Sequence, residues 1–155
     1  DISIVNNGGV RLDSIAAGTI TMGEVLSMDP FNNLAVKMYL TGEEILKLLT
    51  TYSRGSLYHL PRVGGIICEV TVDKDDQYKD RLKRVKLMTL DGQEFDLEKT
   101  YKVITNSYLA SLCKPFLNKD YESLYIHTAD MLINYLKKQK TISPTKIERL
   151  KIKEE

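Results

Sequence analysis

Short apolar runs and two-residue alternation dominate the hydrophobic pattern of the chain. Such runs, bounded by turn residues, are typical of β-strands. The predicted strands cover residues 2–5, 34–40, 65–72, 82–90, 101–105 and 147–152. An Asp-Gly pair at 91–92, between the runs KLMTL and QEFDL, adds a hairpin signal. The polar segment DKDDQYKDR at 73–81 has no apolar period and predicts a solvated loop.

Helical patterns occur at three places between these strands. Thr41 and Glu44 have the spacing of a capping box, and apolar residues of the following segment ILKLLTTY repeat at helical spacing. A second helix is predicted with Thr128 as its N-cap and a lysine-rich end, and a short third helix over 22–27, before Pro30. Because helices mix irregularly with paired strands, the sequence predicts an α+β fold with a mixed β-sheet flanked by helices.

Composition limits the domain count and the partners. A chain of 155 residues has the size of one domain and can bury a substantial core. Its 22 Lys and Arg residues against 21 Asp and Glu residues create no strong net field for a nucleic-acid polymer or an anionic membrane. No apolar stretch approaches the roughly 20 residues of a membrane span. We therefore predict a single domain over 1–155 that has no nucleic-acid polymer as a partner and no membrane span.

The common cofactor and metal motifs do not occur in the sequence. It contains no glycine-rich phosphate loop, no H-E-x-x-H and no C-x-x-C. The two histidines, His59 and His127, are too few for a hydrolytic two-metal centre and are interpreted as surface or packing residues. Cys68 and Cys113 match no zinc or redox spacing and are interpreted as unpaired apolar residues. The sequence thus predicts no catalytic residue, no metal ligand and no cofactor within this chain.

Two short stretches carry candidate binding chemistry. In NNGGVR the glycines permit close approach of a ligand, and Arg11 can bind a carboxylate or phosphate through two parallel hydrogen bonds. A tight turn with a surface arginine explains the same stretch. In DPFNN, Phe31 is either a core residue or a stacking platform for a planar ligand.

Five segments together resemble a known family. They are DISIVNNGGVR, AGTITMGEVLSMDPFNN, LTGEEILKLL, VGGI and LDGQEFDLEKTYKVITNSYLA. Their order and spacing are similar to those of the C-terminal domain of the 5'-nucleotidase and UDP-sugar hydrolase family, and the resemblance covers nearly the whole chain. It implies the fold of that domain and a pocket for a nucleotide or nucleoside.

The resemblance also implies which residues bind. Asn6 and Arg11 match the family positions that contact the nucleotide. Phe31 and Tyr108 match the aromatic residues that stack on the two faces of the base, and Asn33 matches the asparagine that bonds to the base edge. Stacking of a base on an aromatic side chain contributes on the order of 1–3 kcal/mol.

One loop departs from the family pattern. Where the family has Gly-Gly-Asp-Gly, this chain has Leu-Cys-Lys-Pro at 112–115. Lys114 takes the position of an aspartate that accepts a hydrogen bond from the nucleoside, so a donor of opposite charge replaces an acceptor. We expect an altered loop here, with a different path because proline and larger side chains replace glycines.

The function implied by the resemblance is substrate recognition for a 5'-nucleotidase-type phosphohydrolase in nucleotide catabolism. Catalysis in the family belongs to a metallophosphoesterase domain with divalent metal ions, which is absent from this chain. We therefore expect that domain upstream or on a partner chain, and predict that this chain alone hydrolyses nothing. The alternative is a non-enzymatic binding or interaction module that keeps the fold. The resemblance implies a periplasmic or otherwise extracytoplasmic location.

Overall fold

The computed structural model of the chain describes residues 2–78, 80–143 and 148–155. Within these ranges the chain forms strands and helices that mix without strict alternation. In chain order they are β1 (Ile2–Val5), α1 (Met22–Met28), β2 (Leu34–Thr41), α2 (Gly42–Ser53), β3 (Arg62–Gly64), β4 (Ile67–Val72), β5 (Leu82–Met88), β6 (Thr100–Asn106), α3 (Ser107–Leu117), β7 (Glu122–His127), α4 (Thr128–Gln139) and β8 (Leu150–Glu154). A 3-10 turn, Asn7–Gly9, follows β1.

The strands form two mixed sheets. The larger sheet has the order β3-β1-β6-β2-β7, in which β1 runs parallel to β6 and the other neighbours are antiparallel. The smaller sheet has the order β5-β4-β8, with β8 parallel to β4. The predicted α+β class with a mixed sheet is confirmed, and the mixed strands are divided between two sheets.

Helix α2 forms where the capping pattern predicts it and carries much of the core. Thr41 Oγ1 accepts from the backbone N–H of Glu44 at 3.2 Å, and Glu44 Oε2 accepts from the N–H of Thr41 at 2.9 Å. Burial opposes the charge of Glu44, yet hydrogen bonds from Thr41 and Lys119 hold the pKa of its carboxyl below the usual value. Apolar residues of α2 pack against the larger sheet in a fully buried core that includes Ile4, Met38, Leu40, Ile45, Leu48 and Leu49.

The Asp-Gly turn forms, but the expected second strand of that hairpin does not. Gly92 adopts φ 85°, and its N–H donates to Thr89 O at 2.9 Å. After a single bridge between Met88 and Glu94, the chain turns inward to support α2. Leu97 O accepts from the N–H of Glu43 at 2.9 Å, in the first turn of α2. Because a helix leaves its first N–H groups without internal partners, this segment acts as a cap.

Gly42 permits this contact between α2 and the segment at 96–99. A Cβ atom at Gly42 would lie 2.4 Å from Asp96 O and 2.6 Å from Leu97 Cα. Backbone atoms cannot yield as a flexible side chain can. A side chain at position 42 would therefore separate the helix from its cap.

Several elements differ from the prediction. Strands β3 and β7 and helix α3 were not predicted, and the predicted loop at 112–115 is helical and lies within α3. Thr128 is the first residue of α4, and His127, not Thr128, is the N-cap. The last strand is β8, and residue 147 of the predicted strand lies outside the described residues. No helix in the described ranges is long and apolar enough to cross a membrane.

Candidate functional site

One edge of the larger sheet gathers all five predicted binding residues. Since β1 is parallel to β6 and β2 is antiparallel to β6, the ends of β1 and β6 and the start of β2 lie at the same edge. A cleft of about 480 Å³ opens there. Its lining residues are Asn6, Asn7, Gly8, Arg11, Phe31, Asn33, Tyr52, Tyr58, His59 and Tyr108.

Asn6 is a buried polar residue that ties the glycine turn to β6. Its Oδ1 accepts from Asn106 Nδ2 at 2.9 Å, and its backbone O accepts from the N–H of Gly9 at 2.9 Å. A Cβ atom at Gly9 would lie 3.0 Å from Asn6 Oδ1, so a side chain at this position would press on the Asn6 amide. The glycine turn therefore has a fixed position against the sheet.

Arg11 and Phe31 form one wall of the cleft. The backbone N–H of Arg11 donates to Met28 O at 2.9 Å, and its guanidinium carbon lies 5.8 Å from the centre of the Phe31 ring. Phe31 is 48% exposed, so the core alternative for this residue is wrong. In the described part of the chain no carboxylate forms an ion pair with Arg11. The guanidinium is thus available to an anion.

Tyr108 lies in the first turn of helix α3, and a buried asparagine, Asn106, fixes the start of this helix. Asn106 is the N-cap of α3, and its Oδ1 accepts from the N–H of Leu109 at 2.7 Å. Tyr108 follows two residues later and is half-exposed. Burial first, and then the neighbouring Tyr108 hydroxyl, raises the pKa of Tyr52 above its usual value. The two phenol groups therefore meet at the cleft.

Asn33 is fixed between the N-termini of two helices. Its backbone O accepts from the N–H of Thr128 at 2.9 Å, and its side-chain Oδ1 lies 3.5 Å from the Ser107 hydroxyl. The Thr128 hydroxyl, predicted to cap α4, instead donates to the carboxylate of Asp29. These contacts hold the segment that carries Phe31 and Asn33 against α3 and α4.

Five lining residues were not among the predicted site residues: Asn7, Gly8, Tyr52, Tyr58 and His59. Asn7 Nδ2 donates to Tyr58 O at 2.9 Å, which joins the glycine turn to the segment after α2. The carboxylate of Asp80 accepts from the Ser56 hydroxyl at 2.6 Å and from the N–H of Tyr58 at 2.7 Å. These bonds, the Ser56 bond first, lower the pKa of Asp80. For the part of the lining that follows α2, the sequence offers one signal, the two adjacent ring side chains Tyr58 and His59.

Lys114 lies outside the cleft. It is an exposed residue of α3, and its Nζ forms an ion pair with Asp120 at 2.9 Å. The hydrogen bond to Asp120 raises the pKa of Lys114. The expected altered loop at this position is wrong because Leu112, Lys114 and Pro115 continue the helix.

The side chains that line the cleft and can carry a charge near neutral pH are basic. Arg11 and His59 are its basic side chains, and no Asp or Glu is among its described lining residues. Within the described residues no group of three or more His, Cys, Asp or Glu side chains is arranged to hold a metal ion. The cleft therefore combines exposed aromatic surfaces, amide groups and a guanidinium, which suits a planar ligand with acceptor groups.

Comparison with known proteins gives a consistent match. Residues 1–118 match the family model described as the 5'-nucleotidase C-terminal domain. The chain is 32% identical over 117 residues, 71% of its length, to the trifunctional nucleotide phosphoesterase protein YfkN of Bacillus subtilis. It is 26% identical over 148 residues, 90% of its length, to the cell wall protein Lmo0130 of Listeria monocytogenes.

A solved structure shows the same fold. The 5'-nucleotidase precursor from Thermus thermophilus aligns over 98% of this chain with a TM-score of 0.76 and 28% identity. The chain spans 31% of that protein, 8% of YfkN and 19% of Lmo0130. It is thus similar to a limited part of much longer proteins.

Proposed function

The chain belongs to the family of 5'-nucleotidase C-terminal domains, and on this premise we propose that it binds the nucleotide or nucleoside substrate of a 5'-nucleotidase-type phosphohydrolase. Its contribution is substrate recognition in nucleotide catabolism. The names of two similar proteins, a nucleotide phosphoesterase and a 5'-nucleotidase precursor, support this substrate class.

The observation that carries the proposal is the pair of half-exposed rings at one cleft. Phe31 and Tyr108 come from segments far apart in sequence, and both line the cleft with about half of their surface exposed. A folded protein gains little by leaving two large rings in water. Rings so placed can hold the two faces of a base, since every base has a face that stacks on an aromatic ring.

The polar groups of the cleft complete the proposed recognition. Arg11, which no described carboxylate neutralises, would take an anionic or acceptor group of the ligand through its two parallel N–H groups. Asn33 would bond to the base edge through its side-chain amide. Asn6 Oδ1 already accepts a hydrogen bond from Asn106, so Asn6 would contact the ligand through its remaining N–H groups.

Catalysis is proposed to lie outside this chain. The expected partner is a metallophosphoesterase domain or chain, whose divalent metal ions would activate water and stabilise the departing oxyanion. Residues of this chain would bind and orient the nucleotide for that centre. We place the assembly outside the cytoplasm, which fits the name of the similar cell wall protein, Lmo0130.

Titration of the chain with AMP and adenosine tests the binding role. We expect saturable changes in the amide and tyrosine NMR signals of cleft residues, with Tyr108 among the most affected because it would lie against the base. Tyr39, an exposed tyrosine outside the cleft lining, provides the internal control. A titration in which neither ligand gives saturable shifts at the cleft would end the nucleotide proposal.

A phosphate-release assay tests the proposal that catalysis lies outside this chain. The purified chain is expected to release no phosphate from AMP when Mg²⁺, Mn²⁺ or Zn²⁺ is added, because it offers no cluster of metal ligands in the described residues. The control is the same assay with a metallophosphoesterase domain added. Metal-dependent turnover by the chain alone would contradict the proposal.

A second candidate is a binding module without an enzymatic partner. The lack of a carboxylate among the described residues of the cleft favours it, because the family carries an aspartate in the loop that is helical here. Binding of nucleosides to the chain, without any gain in hydrolysis by an added metallophosphoesterase domain, would support this candidate over the first.

A further inference from the structure

The outer face of the smaller sheet collects basic side chains. Residues paired across neighbouring strands lie on the same face. Glu69 of β4 lies opposite Lys86 of β5 and Lys151 of β8, and in the next outward row Thr71 lies opposite Arg84 and Lys153. The alternate row, which includes Cys68 and Val70, faces the core.

A fifth cation extends this face at one end. Arg149 precedes Leu150, which pairs with Cys68 on the core side, so alternation places Arg149 on the outer side. Its backbone O accepts from the N–H of Cys68 at 2.8 Å, which continues the ladder. The basic face is defined here as Arg84, Lys86, Arg149, Lys151 and Lys153.

Acidic groups neutralise only part of this charge. Lys153 Nζ pairs with Glu69 Oε2 at 2.9 Å, and Arg84 lies 3.8 Å from a carboxylate oxygen of Glu155. The hydrogen bond from Lys153, with the charges of Lys86 and Lys151, lowers the pKa of Glu69. The single carboxylate of Glu69 thus interacts with three lysines, Lys86, Lys151 and Lys153. The basic face has five cations and ion pairs with two carboxylates, those of Glu69 and Glu155, among the described residues.

The centre of the basic face has little exposed surface. Thr71 is 5% exposed, and the side chain of Glu69 is 19% exposed, although both point outward. Lys and Arg cover their neighbours with their aliphatic stems while their charged ends stay in water. In contrast, the Nε of Arg149 is buried and has no hydrogen-bond partner in the described part of the chain. It is a donor without an acceptor among residues 2–78, 80–143 and 148–155.

The composition of the basic face separates possible partners. Protein interfaces have anchors near their centre, most often Trp, Tyr or Arg, and single-stranded nucleic acids stack their bases on aromatic side chains. The two basic rows have Thr71 and Glu69 at their centre, and the adjacent outward row pairs Ile67, only 5% exposed, with Met88. None of these residues is aromatic. Side chains two residues apart on a strand are about 6.7 Å from each other. The cations therefore form a regular grid that can contact a ligand with regularly spaced negative charges.

We propose that the basic face binds a linear phosphodiester polymer that presents no stacked bases, such as a polyol phosphate chain. Lys and Arg form charge-assisted hydrogen bonds with phosphate oxygens, and such contacts do not depend on a base sequence. The proposal goes beyond the role of the cleft, which lies on another part of the protein, so its failure leaves the nucleotide proposal intact.

Binding of poly(glycerol phosphate) to the full chain tests this. We expect binding at low salt that weakens as salt rises, with a slope of about −3 in log K against log salt if four cations take part. The Lys86→Gln/Lys151→Gln variant is expected to bind at least fivefold more weakly, with a slope about 1.5 smaller. The matched control, Lys137→Gln/Lys138→Gln, removes the same charge from the exposed end of α4 and should change binding less than twofold.

Each outcome decides the proposal. No binding by the full chain, or equal losses in the two double variants, would overturn it, because binding would then not depend on this face. Polyglutamate bound as tightly as the phosphate polymer would show a surface for negative charge in general and would also overturn it, as would tighter binding of single-stranded DNA. The Gln variants preserve the aliphatic stems, and a thermal unfolding scan of each checks that the fold is retained.

Discussion

Replacing Phe31 by alanine is expected to weaken nucleotide binding by a factor of about 5 to 150, because base stacking on one ring contributes on the order of 1–3 kcal/mol. Phe31 is 48% exposed, so its removal should leave the free energy of unfolding almost unchanged. Isothermal titration with AMP measures the affinity, and urea unfolding measures stability. Phe31→Tyr is the matched control and should bind nearly as well as the wild type because the ring remains.

The same experiment at Tyr108 separates the ring from its hydroxyl. Tyr108→Phe keeps the stacking surface and loses only the contact with Tyr52, whereas Tyr108→Ala loses both. We expect near wild-type affinity for the first and a loss similar to that of Phe31→Ala for the second. Wild-type affinity in both alanine variants would refute the stacking role of the cleft.

The double variant Phe31→Ala/Tyr108→Ala tests whether the rings hold the same base. Two rings on opposite faces of one base lose their contacts together, since a base freed on one side can leave the other. The combined loss should therefore be smaller than the sum of the two single losses. Strictly additive losses would indicate two separate stacking positions.

Sequence patterns predicted those elements whose signals are local. The apolar run at 2–5 matches β1 because it alternates between core and solvent, and α2 begins at a capping box that satisfies its own first N–H groups. Strand β7 has no such pattern. Its outer position in the sheet leaves most of its residues half-exposed, and Tyr125 adopts a positive φ next to an irregular register with β2. Only pairing with β2 makes this segment a strand.

Helix α3 was not predicted because its segment contains a residue that disfavours helices. Its segment follows β6 directly, and Pro115 argues against a helix in a reading of the sequence alone. The proline lies in the last turn, and the helix ends at Leu117. The start of the helix depends on the buried side chain of Asn106, which sequence spacing does not reveal. The loop expected around Lys114 was wrong for this reason.

The candidate site was partly predictable because its residues follow or precede strands. Asn6 and Arg11 come after β1, and Phe31 and Asn33 come before β2, so strand directions alone bring them to one edge. Tyr52 and the residues at 58–59 reach the cleft through the packing of α2 and the hydrogen bonds of Asp80. Such placement depends on tertiary contacts, which have no local sequence pattern.

Asn106 is the residue whose loss should affect both the fold and the cleft. Its side chain caps α3 through Leu109 N–H at 2.7 Å and donates to the buried Asn6 at 2.9 Å. Loss of an N-cap costs about 1 kcal/mol, and an orphaned buried polar group costs about 1–3 kcal/mol more. We therefore expect Asn106→Ala to lower the free energy of unfolding by about 3 kcal/mol, measured by urea denaturation.

Asn106→Asp is the matched control for this prediction. It keeps an acceptor for the N–H of Leu109, and Asn6 can turn its amide to donate to the new carboxylate, so we expect a loss of only about 1 kcal/mol. Because the start of α3 carries Tyr108, the alanine variant should also bind AMP more weakly under conditions where it remains folded. Equal destabilisation by Ala and Asp, or unchanged AMP affinity in the folded Ala variant, would contradict the idea that this one amide positions the helix for the cleft.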